Sequence, residues 1–112
     1  MKIYHNSRCS KSRAALNIIT ESKAEVTVVE YLKNPLTKSE IEDLLSKLKM
    51  PAAELIRKGE VEFKENYKGK TLSEPEWIDA MVKFPKLIER PIVVKGNKAV
   101  IGRPPENVLT LL

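Results

Sequence analysis

The sequence predicts an α/β fold: a mixed four-stranded sheet with helices packed on it and a helical insertion between strands 2 and 3. Three observations carry that prediction. Roughly the first thirty residues read strand, helix, strand, the pattern of a βαβ unit. A helical middle follows, opened twice by the same capping signature. Near the C-terminus, two valine- and isoleucine-rich runs flank Gly96-Asn97, the signal of a hairpin.

Met1 to His5, "MKIYH", alternates and carries β-branched and aromatic residues, which predicts the first strand. From Ser10 to Glu21, Ala14, Ala15, Ile18 and Ile19 recur on one face, predicting a helix with Cys9 at its N-terminus. Glu25 to Leu32, "EVTVVEYL", is valine-rich and short, a second strand that the intervening helix makes parallel to the first. Asn34-Pro35 breaks the chain, and "TKSE" at Thr37 to Glu40 has capping-box spacing ahead of Ile41, Leu44, Leu45 and Leu48. Met50-Pro51 ends that helix, and "PAAELIRKG" predicts one or two further turns, with Pro51 near the first position and Gly59 past the end.

"SEPE" at Ser73 to Glu76 repeats the capping pattern before Trp77, Ile78, Met81 and Val82, and Pro85 closes this helix. Trp77 reads as core. The two runs around Gly96-Asn97 then form antiparallel strands. Pro104-Pro105 opens a last helix through "ENVLTLL", whose Val108, Leu109, Leu111 and Leu112 are expected to pack on the sheet. The order β-α-β, three helical pieces, β-β-α is compatible with a thioredoxin-type sheet, a single domain over 1–112 with the insertion at about 37–84.

Composition narrows the function. At 112 residues and 42% hydrophobic content, the chain can build one ordinary core. No run approaches the roughly 18 apolar residues of a membrane span, and "MKIYHNSR" lacks a signal-peptide core, so a cytoplasmic protein with no membrane partner is expected. A net charge of +5 suits either a polyanion or a small oxyanion. Acidic residues are interleaved with the basic ones and aromatics amount to 5%, too few for base stacking, so nucleic acid is not expected as a partner. One cysteine allows neither an internal disulfide nor a multi-cysteine zinc site, and no metal is expected. Redox chemistry here must take its second thiol from another molecule.

That cysteine stands in "HNSRCSKSR" with the chain's one histidine. A thiol at a helix N-terminus feels unpaired N–H groups and the positive end of the helix dipole, and Arg8, Lys11 and Arg13 lie within four residues of it. Such a place can activate an attacking sulfur or receive an oxyanion. The competing reading is a cysteine packed as a small hydrophobe. Asn6, Ser7, Arg8, Ser10 and Lys11 oppose it, because no apolar run carries Cys9 inward.

Two templates fail on spacing. A tyrosine-phosphatase loop needs arginine at the position of Ala15, and a dithiol site needs cysteine where Ser12 stands, leaving a serine able to donate a hydrogen bond to a thiolate but not to resolve a disulfide. His5 is open between proton transfer and a tuning or packing role. Composition gives Arg57, Arg90 and Arg103 no role, although Arg90-Pro91 and Arg103-Pro104 bracket the predicted hairpin, where their side chains could converge.

With "HNSRCSKSRAAL", "VVEYLKNPLTKSEIEDLL", "LIRKG" and "LIERPIVVKGNKAVIGRPPENVL" in order along the chain, the sequence resembles the arsenate reductase family of the glutaredoxin-coupled type. The resemblance implies a thioredoxin fold with a helical insertion, Cys9 as nucleophile, and Arg57, Arg90 and Arg103 around the oxyanion. It implies His5 as a residue that helps lower the thiol pKa, and Asn6, Ser12 and Arg13 as support in the site loop. Pro91 matches a proline that is commonly cis and faces the cysteine in such folds.

The implied reaction is reduction of arsenate to arsenite with glutathione as external reductant, glutaredoxin as partner and no bound cofactor. Two positions depart from the family pattern, Ser7 where "HNP" is familiar and Ser10 where many members have glycine. Two alternatives share the fold. One is an Spx-type transcription regulator that binds RNA polymerase, many of which carry a CxxC switch that Ser12 rules out here. The other is a thiol reductase or monothiol glutaredoxin-like protein with a different substrate, glutathione or an iron–sulfur cluster.

Overall fold

The computed structural model describes all 112 residues, which form two compact units, residues 1–34 with 90–112 and residues 35–89. The first contains β1 (Lys2–Tyr4), α1 (Ser10–Glu21), β2 (Thr27–Val29), β3 (Ile92–Lys95), β4 (Lys98–Ile101) and a C-terminal 3-10 helix (Pro105–Leu111). The second contains α2 (Lys38–Leu48), α3 (Ala52–Leu55), α4 (Val61–Asn66), α5 (Glu74–Lys83) and a 3-10 turn at Pro85–Leu87. No helix is long and apolar enough to cross a membrane.

The sheet order is β2-β1-β3-β4, with β1 parallel to β2 and antiparallel to β3, and β3 antiparallel to β4. This is the mixed sheet of a thioredoxin-like fold. Ile3 of β1 lies opposite Val93 of β3, and both are fully buried. Ala15 and Ile19 of α1 and Val108 and Leu111 of the 3-10 helix close over them as one apolar cluster. The face of β1 and β3 that carries Ile3 and Val93 and the apolar face of α1 thus meet on the same side of the sheet.

Where elements differ from expectation, local hydrogen bonds explain it. β2 stops at Val29 because the Glu30 carbonyl accepts the N–H groups of Lys33 and Asn34, turning the chain before Leu32. α3 stops at Leu55 because Ile56 becomes extended and pairs with Ile88, with Arg57 N–H donating to Leu87 O at 2.7 Å and Glu89 N–H to Leu55 O at 2.9 Å. α4 had no predicted counterpart. It buries no residue, but its Phe63 stacks on Trp77 with ring centroids 6.1 Å apart, so a tertiary contact anchors a segment without its own periodicity.

The final helix winds as 3-10 rather than α, and its buried residues are Pro105, Val108 and Leu111, three apart, the repeat on which a 3-10 helix lines up side chains. Leu109 and Leu112, expected on the sheet, are instead exposed. Both capping boxes form as expected, Thr37 with Glu40 and Ser73 with Glu76. The hairpin turns through Gly96, whose φ of 61° is the positive value its two-residue turn requires.

Gly102 was not anticipated as important. Its N–H donates to Pro91 O at 2.8 Å, and a Cβ added there would lie 2.8 Å from Pro91 Cγ and 3.2 Å from Ala15 Cβ. The glycine lets the segment carrying Arg103 lie against the segment carrying Arg90. Gly102→Ala is expected to destabilise the protein by about 1–3 kcal/mol through overpacking, read as a lower denaturation midpoint. An unchanged midpoint would mean that Pro91 yields freely.

Candidate active site

Cys9 is the N-cap of α1, with extended backbone at φ −94° and ψ 122°. Its N–H donates to Asn6 O at 3.0 Å and its carbonyl accepts Arg13 N–H at 3.0 Å, so a tight turn from Asn6 runs directly into the helix. Asn6 Oδ1 accepts Arg8 N–H at 3.0 Å inside that turn. Arg13 Nη1 donates to Ser7 O at 2.9 Å from an exposed position, making Arg13 a brace of the loop.

Two arginines reach the thiol from the hairpin. Arg103 Nη2 lies 3.4 Å from Cys9 Sγ, and Arg103 Nε donates to Arg90 O at 2.7 Å. The Arg90-Pro91 and Arg103-Pro104 peptide bonds are both cis, the first as the resemblance implied and the second unanticipated. Burial opposes ionisation of the Cys9 thiol. That effect is outweighed by the Ser12 N–H, the Arg90 side chain and the Lys11 N–H, which together hold its pKa below the ordinary thiol value. The result is a free, half-buried thiol with a helix N-terminus beneath it and two guanidinium groups beside it.

Ser12 acts differently from the expectation. Its hydroxyl is fully buried and lies 2.7 Å from His5 Nδ1, and it accepts Asn6 N–H at 3.1 Å. The backbone N–H of Ser12, rather than its hydroxyl, acts on the sulfur. The serine therefore ties the end of β1 to the first turn of α1 and fixes the loop between them.

His5 is buried, and burial lowers its pKa, with Glu30 raising it and Arg13 lowering it further. A histidine that is neutral in the fold cannot favour a thiolate by positive charge, so its contact with Ser12 supports a positioning role. The sign of the pH effect follows. Between the folded pKa and the ordinary 6.5, unfolding takes up a proton, so this residue's contribution is complete above about pH 6.5 and is lost as pH falls through the folded value. His5→Gln is expected to flatten the decline in stability below that pH, as measured by denaturant unfolding at stepped pH. An unaltered acid limb would remove His5 as its source.

Arg57 lies in the 35–89 unit, placed by the Ile56–Ile88 pairing. Its Nε bonds Glu60 Oε1 at 3.2 Å and its Nη1 bonds Glu89 Oε1 at 2.7 Å. Neither carboxylate was anticipated, and nothing local in "LIRKGE" or "IERP" marks them as partners. Gly102 did leave a trace, a glycine placed immediately after a strand, where close backbone approach is a common cause.

A β2-β1-β3-β4 sheet with a lone cysteine at the N-cap position of the first helix defines a thioredoxin-like monothiol protein. The profile of the ArsC family matches residues 4–111, and the chain belongs to that family of arsenate reductases. It is 52% identical to the uncharacterized protein YfgD of Escherichia coli (strain K12), over 100% of this chain and 96% of that one. It is 40% identical to an arsenate reductase of Neisseria meningitidis serogroup A, over 100% and 97%. The solved arsenate reductase of Vibrio cholerae superposes with a TM-score of 0.94 at 39% identity, covering 100% of this chain and 98% of that chain.

Proposed function

We propose that the protein reduces arsenate to arsenite through Cys9, with electrons supplied by glutathione and glutaredoxin. The observation that carries this reading is the Cys9 thiol at the α1 N-terminus with Arg103 Nη2 at 3.4 Å. An arsenate ion and a thiolate are both anions, and their approach needs fixed positive charge. Arg90, Arg103 and the first-turn N–H groups provide it without reorganisation. For Arg57 the support is the family resemblance, and an oxyanion would compete with Glu60 and Glu89 for its guanidinium.

In the first step the Cys9 thiolate attacks arsenic, and an arsenate oxygen leaves as water after protonation. Glutathione then adds to arsenic with loss of a second water. A glutaredoxin thiol attacks the glutathione sulfur, forming a mixed disulfide and leaving two electrons on arsenic. Hydrolysis of the remaining sulfur–arsenic bond frees arsenite and the Cys9 thiol. One arsenate and two external thiols thus give arsenite, one disulfide and one water. The external thiols replace the resolving cysteine that Ser12 denies, and the scheme requires no bound cofactor. It suits the cytoplasm, where thiol pools are kept reduced.

The test is arsenate-dependent NADPH oxidation in the presence of glutathione, glutaredoxin and glutathione reductase. Turnover requiring all components is expected, and none with arsenate would remove arsenate as the substrate. The 52% identity to a relative whose name carries no activity, together with Ser7 and Ser10 beside the thiol, favours as second reading the same chemistry on another small substrate. Phosphate-like competitors that protect Cys9 from alkylation would identify its class.

A further inference from the structure

A groove of about 220 Å³ is lined by the loop from His5 to Arg8, which runs into Cys9, and by Glu30, Leu32 and Lys33. The oxyanion chemistry above makes no use of it. Resting on that proposed reading, we infer that this groove holds glutathione, with the charged ends of the tripeptide on Arg8, Lys33 and Glu30.

Charge is the first argument. At neutral pH glutathione carries two carboxylates and one ammonium, and the groove presents two cations, Arg8 and Lys33, and one carboxylate, Glu30. A site for a bare anion has no use for Glu30, whose charge would repel it, whereas a zwitterion needs both signs side by side. Lys33 Nζ and Glu30 Oε2 supply them 3.4 Å apart. The two side chains are 73% and 39% exposed, so their own pairing is weak and yields to a ligand at little cost.

Reach is the second argument. The Asn6 carbonyl accepts the Cys9 N–H, so one groove wall and the nucleophile stand at the two ends of a single turn, within about 7 Å. An extended tripeptide spans about 10 Å. A glutathione whose sulfur meets the arsenic on Cys9 therefore has the reach to lay its ends on the groove residues, where half-exposed Leu32 offers an apolar surface to its methylenes.

The probe is S-methylglutathione, which binds without reacting, titrated into the intact protein and followed by amide chemical shifts. Shifts grouped at residues 5–8 and 30–33 are expected, and Lys33→Glu should weaken binding about fivefold or more. Glu30→Lys discriminates: it weakens a zwitterion site and strengthens a simple anion site, so tighter binding in that variant would overturn the inference. Shifts confined to other residues would overturn it equally. The two readings fail separately. Binding in the groove without arsenate turnover removes the substrate and keeps the groove, whereas glutathione-dependent turnover with an unchanged KM for glutathione in Lys33→Glu does the reverse.

Discussion

Cys9→Ser is expected to abolish turnover, with kcat falling by at least about a thousandfold, the scale on which loss of a nucleophile is felt. A serine hydroxyl in the same N-cap position keeps the first-turn N–H groups and both arginines, so binding of the proposed oxyanion should persist. The lost element is a sulfur whose ionised form the site favours. In the wild type, the thiolate absorbance near 240 nm should rise with a midpoint below that of a free thiol, since the Ser12 and Lys11 N–H groups and Arg90 outweigh burial. That rise should be missing from Cys9→Ser, which has no other cysteine to contribute. Turnover surviving the substitution would remove Cys9 as the nucleophile.

Arg103→Lys should lower kcat/KM by about 10- to 100-fold despite keeping the charge, corresponding to one lost charge-assisted hydrogen bond of about 1.5–3 kcal/mol. Arg103 performs two tasks from one planar group: Nε holds the Arg90 carbonyl at 2.7 Å while Nη2 reaches the sulfur at 3.4 Å. A lysine offers a single nitrogen and cannot hold both geometries. Arg90→Ala, by contrast, removes a group that lowers the thiol pKa, so its 240 nm midpoint should move upward. Activity within twofold of wild type for Arg103→Lys would show that charge alone suffices.

The site was only partly legible in the chain. Cys9 could be read because its polar neighbours and the helix period after it are local features, spaced within a few residues. Ser12 was recognised as the residue barring a dithiol, yet its hydroxyl bond to His5 spans the loop and depends on where β1 ends. The convergence of Arg90 and Arg103 was visible as a pair of Arg-Pro steps around a hairpin. Their contact with a thiol 81 and 94 positions earlier depends on β1 and β3 being neighbours in the sheet.

Local rules likewise determined most elements. Thr37 with Glu40 and Ser73 with Glu76 start helices because each pair satisfies its own backbone donors, and Gly96 makes the hairpin turn because it takes a positive φ without a Cβ clash. Local patterns in the chain therefore settle the order of the elements apart from α4, and the composition settles that there is one thiol and no second to resolve it, since each rests on residues a few positions apart or on a count. Tertiary structure alone decided that α3 ends for the Ile56–Ile88 pairing, that the last helix buries every third residue, that Gly102 must lack a Cβ against Pro91, and which nitrogen of Arg103 meets the sulfur. Those depend on surfaces brought together across the fold, where packing and hydrogen-bond distance, rather than spacing along the chain, set the energy.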